Sequence, residues 1–371
     1  MGSIDSLKDH TRYQDVAETT ADLEWADLIT IDLSKFDTPG GKQELAAQLK
    51  KAISTIGFFY VINFGLTEDE VDEQFALAKA LFDLPDAEKQ KYRVDPTKQG
   101  FFGWKPRGAR KQQHGLVDNL ELYDDPKWNA VYKDFARPSV LAQNAEKVEH
   151  FQRHLSSFVL KRLLILCAII MELPDEEALW KLHNYESASQ CHLRYMLYHP
   201  RTQEELRIMK EHNIEHNVYG HTDFGSLTLL MRQPVAALQV RPYGEEKWKW
   251  VKPLRGSITV NVADTLSFLT GGYLESSIHR VVLPPEDQRH IPRYGVIYFS
   301  GPDDDTLLKP VESPVLEREM VQGNNNRALP PEGVTAAEWV RIRFGSIDLN
   351  YSNNRDNKVV VRNVEVPSYA N

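Results

Sequence analysis

Cysteine is scarce in this chain, with two residues in 371. Cys167 and Cys191 lie far apart, one in an apolar run and the other in a strand-like segment. This number and placement exclude a disulfide framework and a metal site built from thiolates. We therefore expect a chain that folds in a reducing compartment, and we predict a cytoplasmic location.

Long apolar runs are also missing. The longest, residues 163–171, is too short to span a bilayer. The opening MGSIDSLKDHTRYQ lacks the apolar core of a signal peptide and the arginine-rich composition of a transit peptide. Met1, Gly2 and Ser6 match the short N-myristoylation pattern, but no polybasic segment accompanies it, so we interpret the match as chance.

Positive charge is in deficit: 44 lysines and arginines stand against 53 acidic residues, for a net charge of −9. Nucleic-acid binding needs a basic stripe that neutralises phosphates, and this composition offers none. Charged residues at 26% and hydrophobic residues at 42% are typical of a globular protein with a sizeable core. Nucleic acids and membranes are thus not predicted partners.

Three segments carry apolar residues at helical spacing. They are residues 41–55, 67–85 and 140–173, and the second opens with Thr67 and Glu70 in the arrangement of a capping box. We predict helices at all three and interpret the last as one long scaffold helix.

Short alternating segments separated by turns occupy residues 190–300. Such spacing predicts a β-sandwich or barrel. A further buried strand is predicted at residues 57–65, whereas residues 93–136 are predicted to be rich in loops. The predicted fold class is mostly β with flanking helices.

The stretch GHTDFGSLTLL, residues 220–230, places a histidine and an aspartate two positions apart. Its apolar tail favours one strand entered through a glycine turn. Residues i and i+2 of a strand point to the same side, so His221 and Asp223 would face one space. Two interpretations stay open: a pair of metal ligands, or an aspartate that orients a histidine acting as general base.

A third candidate ligand, His279, lies in SSIHRVVLPP. It comes near Asp223 only if the strands form a closed double-stranded barrel. Two imidazoles and one carboxylate on one face of an octahedral ion make the facial triad of non-haem Fe(II) oxygenases. That triad leaves three positions open, two for a bidentate co-substrate and one for dioxygen.

A keto acid chelated to such an iron needs a cation at its far carboxylate, and arginine supplies one through paired hydrogen bonds. Three arginines follow the last histidine of the triad. Arg289 lies in a polar loop, and Arg280 would face away from the metal. Arg293 begins the strand-like RYGVIYF, with Gly295 and Ile297 on the same face, so we predict Arg293.

His212 and His216 enclose the pattern H-x-x-E-H of inverted zinc peptidases. That chemistry needs both histidines on one face of a helix. Asn213, Asn217 and Gly220 continue a helix poorly, so we interpret the two histidines as surface residues that precede the metal strand.

Longer sequence segments resemble those of the iron- and 2-oxoglutarate-dependent oxygenases of the isopenicillin N synthase-like group. GFFYVINFG followed by ALFDLPDAEKQKY resembles the family's N-terminal region, and NVADTLSFLTGGYLESSIHRV resembles its NxGDxLxxxTNGxYxSxxHRV signature. The resemblance extends over residues 28–302, and the spacing HRVVLPPEDQRHIPRYGVIYF is similar to that of fungal members. It implies a distorted double-stranded β-helix, or jelly roll, as the core.

The resemblance implies roles for particular residues. His221, Asp223 and His279 become the ligands of Fe(II). Phe102 and Trp104 lie in the part of the chain that overhangs the iron in this family, so they become candidate substrate contacts, with a role in the core as the alternative.

In the same way, Arg293 becomes the anchor of the distal carboxylate of 2-oxoglutarate. The family's usual R-x-S is here R-Y-G, with Gly295 at the third position. Glycine cannot donate the serine hydroxyl, so water or a nearby tyrosine, with Tyr198 as the candidate, would replace it.

The expected domain organisation follows from these assignments. It comprises a flexible N-terminal arm (1–27), an N-terminal non-haem dioxygenase region (28–136), scaffold helices (137–186), an Fe(II)/2-oxoglutarate dioxygenase core (187–302) and a C-terminal extension (303–371). Two interpretations of the extension stay open: a lid that folds over the pocket mouth, or a helix that only docks against the core.

The implied activity is that of a 2-oxoglutarate-dependent dioxygenase acting on a small organic metabolite, in fungal secondary metabolism. Hydroxylation is the default outcome, and desaturation or ring rearrangement starts from the same hydrogen abstraction. Gly295 keeps open an oxidase or cyclase that takes all its electrons from the substrate. A non-catalytic binding homologue is the remote alternative.

Overall fold

The computed structural model describes residues 15–95, 101–322, 329–330, 332–353, 358–361 and 364–367. Its strands are β1 Thr30–Asp32, β2 Phe58–Ile62, β3 Gly103–Lys105, β4 Leu120–Pro126, β5 His192–Tyr198, β6 His216–His221, β7 Leu227–Met231, β8 Leu238–Val240, β9 Lys249–Trp250, β10 Ser257–Val262, β11 His279–Val282, β12 Arg293–Phe299, β13 Lys358–Val361 and β14 Val364–Pro367. Its helices are α1 Gly41–Thr55, α2 Glu68–Phe82, α3 Asp86–Lys89, α4 Ser139–Ala142, α5 Ala145–His154, α6 Lys161–Ile170, α7 Gln203–Glu211, α8 Asp264–Leu269, α9 Pro314–Val321 and α10 Ala336–Asn353.

Two sheets build the body of the chain. The larger has eight strands in the order β1-β2-β10-β7-β12-β5-β4-β3, and the smaller has four in the order β6-β11-β8-β9. Apolar side chains of both sheets, such as Ile297 and Val281, pack against one another between them. The predicted mostly-β class with flanking helices, and its jelly-roll core, is confirmed.

The two faces of the larger sheet have different partners. Val296 and Tyr298 of β12 belong to the main hydrophobic core, which also contains the apolar faces of α1, α2, α5 and α6. Ile297, between them in sequence, belongs instead to the interior cluster that joins the two sheets. The predicted alternation along this strand is therefore correct, and the helix-packed face leaves the opposite face free to carry polar groups.

The predicted helices are largely confirmed. α2 begins after Thr67, whose hydroxyl accepts from the backbone of Glu70 while the Glu70 carboxylate accepts from the backbone of Thr67. The long helix expected over residues 140–173 is interrupted at Gln143 and Asn144, and a π-helical segment, Leu155–Leu160, joins α5 to α6.

The prediction of one strand over residues 220–230 is wrong. β6 ends at His221 and β7 begins at Leu227, and the two strands belong to different sheets. The chain crosses between the sheets where the backbone of Ser226 donates to the carbonyl of Ser300 (2.7 Å). A side chain at Gly225 would place its Cβ only 2.0 Å from that carbonyl oxygen.

The prediction of loops over residues 93–136 is also wrong in part. β4 pairs with β5 along its whole length, from Leu120 opposite Tyr198 to Pro126 opposite His192. Its acidic residues resemble a loop in sequence, but they are buried in ion pairs, which the one-dimensional pattern does not reveal.

The N-terminal segment that was expected to be a flexible arm is attached where it is described. Arg232 forms ion pairs with Asp15 (2.6 Å) and Glu18 (2.8 Å), and the backbone of Ala26 donates to the carbonyl of Trp250 (2.7 Å). The myristoylation pattern lies outside the described residues. No helix in the described ranges is long and apolar enough to cross a membrane.

We expect Gly225→Ala to lower the free energy of unfolding by about 2 kcal/mol or more, because the new Cβ would displace the Ser300 backbone that fixes the crossing segment. Gly301→Ala is the matched control, since a Cβ there meets nothing closer than 3.9 Å. Chemical denaturation of both variants measures the difference. Equal stabilities would show that the crossing segment is not constrained by this contact.

Candidate metal centre and co-substrate site

Three side chains that the sequence pointed to come together at the edge of the smaller sheet. His221 ends β6, His279 begins β11, and the two residues are directly paired in register. Their Nε2 atoms lie 3.9 and 3.8 Å, respectively, from Oδ1 of Asp223, which follows β6 on the crossing segment. One ligand atom from each residue lies within 4.8 Å of the other two, and this is the single such group found in the described ranges.

The other carboxylate oxygen of Asp223 is held by the larger sheet. Oδ2 accepts hydrogen bonds from the hydroxyl of Thr228 (2.6 Å) and the amide of Asn261 (2.9 Å). Thr228 and Asn261 are themselves register partners on β7 and β10. These two bonds leave Oδ1 directed at the histidines.

The surroundings of Asp223 favour its anionic form. Burial acts to raise its pKa, but the two histidines and the two hydrogen-bond donors outweigh burial, so the pKa lies below its ordinary value. An anionic carboxylate with two imidazoles is the donor set that Fe(II) takes in a facial triad. The residues present therefore fit that ion.

The start of α8 fixes the crossing segment. The backbone of Asp264 donates to the carbonyl of Asp223 (2.9 Å), and that of Thr265 donates to Gly225 (2.8 Å). The carboxylate of Asp264 does not cap the helix. It accepts instead from Ser276 (2.7 Å) and lies 3.6 Å from Nε of Arg343. Asn261 and Asp264 thus both contact Asp223 directly, one through its side chain and the other through its backbone.

Arg293 lies on the interior face of β12 and is buried. Its Nε donates to the carbonyl of Val235 (3.2 Å), and its Nη2 donates to Oε1 of Gln233. The guanidinium lies 5.3 Å from the ring centroid of Tyr198, its register partner on β5. The arginine is thus fixed in orientation by neighbouring strands and loops.

The space at Gly295 is filled by Gln233. A Cβ added to Gly295 would lie 2.4 Å from Nε2 of Gln233 and 2.7 Å from Cγ of Met196. The same amide nitrogen donates to the carbonyl of Tyr294 (2.9 Å). Sequence reasoning considered water and Tyr198 for the missing serine and did not consider Gln233. The glycine itself was the signal, since it leaves room for a side chain from another element.

Phe102 and Trp104 have different environments. Phe102 packs edge-on against His192, with ring centroids 5.8 Å apart. Trp104 belongs to the main core, and its indole nitrogen donates to Glu121 (2.8 Å). This placement favours the core alternative for Trp104. Phe102 is also buried, in a separate cluster with residues of α10, and its role as a substrate contact stays a prediction.

The zinc-peptidase interpretation is excluded by local structure. His212 caps the C-terminus of α7, whereas His216 is the first residue of β6. The two imidazoles are therefore not presented on one helical face, as that chemistry requires.

The C-terminal helix α10 packs beside the candidate metal centre. Arg343 donates to the carbonyl of Thr222 (3.3 Å), which lies between two residues of the triad, and its guanidinium lies 4.8 Å from the ring centroid of Phe224. Phe344 stacks on Phe101, with ring centroids 4.8 Å apart. That this helix acts as a lid stays a prediction.

Known families match both halves of this arrangement. Residues 28–143 match the N-terminal region described as non-haem dioxygenase in morphine synthesis, and residues 187–302 match the 2OG-Fe(II) oxygenase superfamily. A UPF0676 protein of Schizosaccharomyces pombe is 30% identical over 326 residues, which cover 85% of this chain and 91% of the relative. The chain belongs to the 2OG-Fe(II) oxygenases. A 2-oxoglutarate-dependent dioxygenase of Didymella fabae is 28% identical to this oxygenase over 289 residues, covering 73% of it and 83% of the relative.

Solved structures have the same fold as this oxygenase. A 2OG-Fe(II) oxygenase family protein of Caulobacter crescentus superposes with a TM-score of 0.71 at 22% identity, covering 87% of this chain and 99% of that one. A full-length protein of Neurospora crassa, solved in complex with alpha-KG and 5-formyluracil, gives a TM-score of 0.70 at 20% identity, covering 88% and 99%.

The predicted enzyme class and cofactors are thereby confirmed: the oxygenase is a 2-oxoglutarate-dependent dioxygenase that uses Fe(II) and 2-oxoglutarate. Its partners are dioxygen and a small-molecule substrate.

We expect Thr228→Val to weaken metal binding about tenfold, because the nearly isosteric change removes one of the two donors that orient Asp223. Isothermal titration of the apoprotein with Co(II), a stable substitute for Fe(II), measures the effect. Thr259→Val is the control, since Thr259 is also buried on the larger sheet but is not among the donors to Asp223. The same loss in both variants would contradict an orienting role.

Proposed function

We propose that His221, Asp223 and His279 hold the Fe(II) of this dioxygenase. The observation that carries the proposal is the convergence of their three ligand atoms within 4.8 Å. When bound, Fe(II) together with 2-oxoglutarate activates dioxygen for the oxidation of a C–H bond. The chain's own contribution is to present a carboxylate whose second oxygen is already committed to Thr228 and Asn261, so that the ligand set is preorganised.

Arg293 is the proposed anchor of the distal carboxylate of 2-oxoglutarate. Its burial supports this role, because a charge-assisted pair is stronger away from water. Gln233 and Val235 accept hydrogen bonds from its Nη2 and Nε, and these two bonds fix the plane of the guanidinium. Tyr198 lies alongside and offers a further contact to the co-substrate.

The proposed substrate is a small organic metabolite, and the proposed setting is fungal secondary metabolism in the cytoplasm. Fungal 2-oxoglutarate-dependent dioxygenases among the relatives support this setting. Hydroxylation is the default reaction, and desaturation or ring rearrangement would differ only in the fate of the substrate radical. Succinate release identifies an accepted substrate, and the product mass distinguishes gain of one oxygen from loss of two hydrogens. Failure of a broad panel of small metabolites to stimulate succinate release would contradict this substrate class.

The co-substrate assignment is tested without turnover. Under anaerobic conditions, we expect Fe(II) and then 2-oxoglutarate to produce a visible charge-transfer band in the wild-type chain, and Arg293→Leu to raise the half-saturating 2-oxoglutarate concentration by about 30-fold or more. Arg289→Leu is the control, because that arginine is exposed on a loop.

The outcomes separate the two candidate activities. A wild-type band that Arg293→Leu weakens supports the dioxygenase with this anchor. Absence of a band from the iron-loaded wild type would contradict it and favour the oxidase that draws its electrons from the substrate.

The role of Gln233 is tested by a double-mutant cycle in the same titration. We expect Gly295→Ser to weaken 2-oxoglutarate binding about tenfold, because its Cβ would meet the Gln233 amide. Gln233→Ala in the same chain removes this contact, although Met196 stays close and Arg293 loses one acceptor. We therefore expect the double variant to bind 2-oxoglutarate more tightly than the product of the two single losses predicts. Additive losses in the double variant would show that the two positions do not share this space.

A further inference from the structure

A second group of buried charges lies on β3, β4 and β5, away from the proposed metal ligands. Arg194 donates through Nε and Nη2 to both carboxylate oxygens of Asp124 (2.6 and 3.1 Å), and Nζ of Lys105 donates to Oδ2 of the same carboxylate (2.8 Å). Two cations therefore share one anion. In the described part of the chain, Asp124 is the carboxylate paired with either cation, which leaves one positive charge in excess.

The excess charge faces accessible space. The side chains of Arg194 and Lys105 are 20% and 17% exposed, whereas that of Asp124 is 0% exposed. The contacts of Arg194 with Asp124 use Nε and Nη2, so the edge of the guanidinium at Nη1 is not taken up by this carboxylate. Burial lowers the pKa of Lys105 to about 8, and Asp124 offsets only part of this because Arg194 adds a second positive charge.

His192 adds an unused polar atom to the group. Its Nδ1 bonds to the carbonyl of Gln190 (2.8 Å). Its Nε2 is buried, lies 3.4 Å from Oδ1 of Asp124, and has no hydrogen-bond partner within the described ranges. Because Nδ1 donates to that carbonyl, Nε2 of the neutral ring is an acceptor, and its burial is costly unless water or a donor group of a ligand completes it.

The charged group shares the interior with the proposed metal centre. Along one row of the larger sheet, His192 is paired with Phe299, and Phe299 is paired with Thr228, the residue that bonds Asp223. Two strand spacings, roughly 10 Å, separate the ends of this row. The guanidinium of Arg194 lies over the Phe299 ring, 4.7 Å from its centroid.

A second series of aromatic contacts also connects the charged group with the metal-ligand region. Nζ of Lys105 lies 4.8 Å from the ring centroid of Phe344 on α10. Phe344 meets Phe224 edge-on, with centroids 6.4 Å apart, and Phe224 follows Asp223 directly in sequence. Aromatic contacts therefore connect the two cations with the metal-ligand region by two routes.

We propose that Arg194 and Lys105 bind a carboxylate group of the substrate, and that the aromatic rings between them and the metal centre hold the apolar body of that substrate. This inference rests on the proposed function, because it takes the group beside Asp223 as the place of oxidation. One excess positive charge matches one carboxylate, so the substrate class is an organic monocarboxylate. A second cation would be an unnecessary desolvation cost if Asp124 needed only a structural partner.

The test measures binding, with three simple carboxylates as probes: acetate, benzoate and 3-phenylpropionate, each compared with its amide. The protein is loaded anaerobically with Fe(II) and saturating 2-oxoglutarate, so that the Arg293 site is filled, and calorimetry gives the affinity. We expect at least one carboxylate to bind about tenfold or more tightly than its amide.

Two variants shift this preference in opposite directions. Lys105→Met removes one of the two cations and should abolish the preference. Asp124→Asn removes the competing anion, keeps an acceptor for Arg194 and should increase the preference. Lys79→Met, which makes the same charge change on the exposed face of α2, should leave it unchanged.

The results distinguish this inference from the function on which it rests. A charge-transfer band with the opposite shifts supports the carboxylate site. A band without preference for any of the three carboxylates, or with equal preference in wild type and Lys105→Met, overturns the site alone. Absence of the band from the wild type overturns the proposed function and this inference with it.

Discussion

The two hydrogen bonds to Oδ2 of Asp223 are the constraint on which the rest of the centre depends. They come from Thr228 and Asn261, paired residues of the larger sheet, whereas the two histidines belong to the smaller sheet. The aspartate therefore joins the sheets at one point, on a crossing segment too tightly packed at Gly225 to accept a side chain. The position of Oδ1 of Asp223 relative to the two histidines therefore depends on how the two sheets are placed, and the packing of the hydrophobic core fixes that placement.

The polar groups that build the proposed metal and co-substrate sites are tolerated inside the fold because they have specific partners and because the opposite face of the sheet supplies the stabilising contacts. Val296 and Tyr298 face the helix-packed core, while the alternate residues of the same strand face the interior. Arg293 is buried with little conformational freedom because Gln233 and Val235 accept its hydrogen bonds. Burying such groups without partners would cost more than this interior could offset.

The grouping of His221, Asp223 and His279 could be predicted because the family resemblance assigns all three to one site. The i, i+2 argument that first paired His221 with Asp223 assumed a strand that does not continue through Asp223. The split of residues 220–230 into strands of two sheets could not be predicted, because a short apolar run gives no sign of its sheet. The strand β4 could not be predicted because its acidic residues are typical of loops, although here they are buried. The position of Gln233 could not be predicted because it depends on the missing side chain of Gly295, which belongs to another element.

The interior face of β12 connects the two cationic groups that are proposed to bind carboxylates. Arg293 stands at one end, and Phe299, beneath the guanidinium of Arg194, stands at the other, six residues or roughly 20 Å along the strand. 2-Oxoglutarate has two carboxylates and could pair with either cationic end. In the proposed arrangement, bound Fe(II) would take one of them and the buried Arg293 would take the other. Because Asp124 already neutralises one of the two charges of the second cationic group, the proposed substrate site would hold a carboxylate less tightly than Arg293 would.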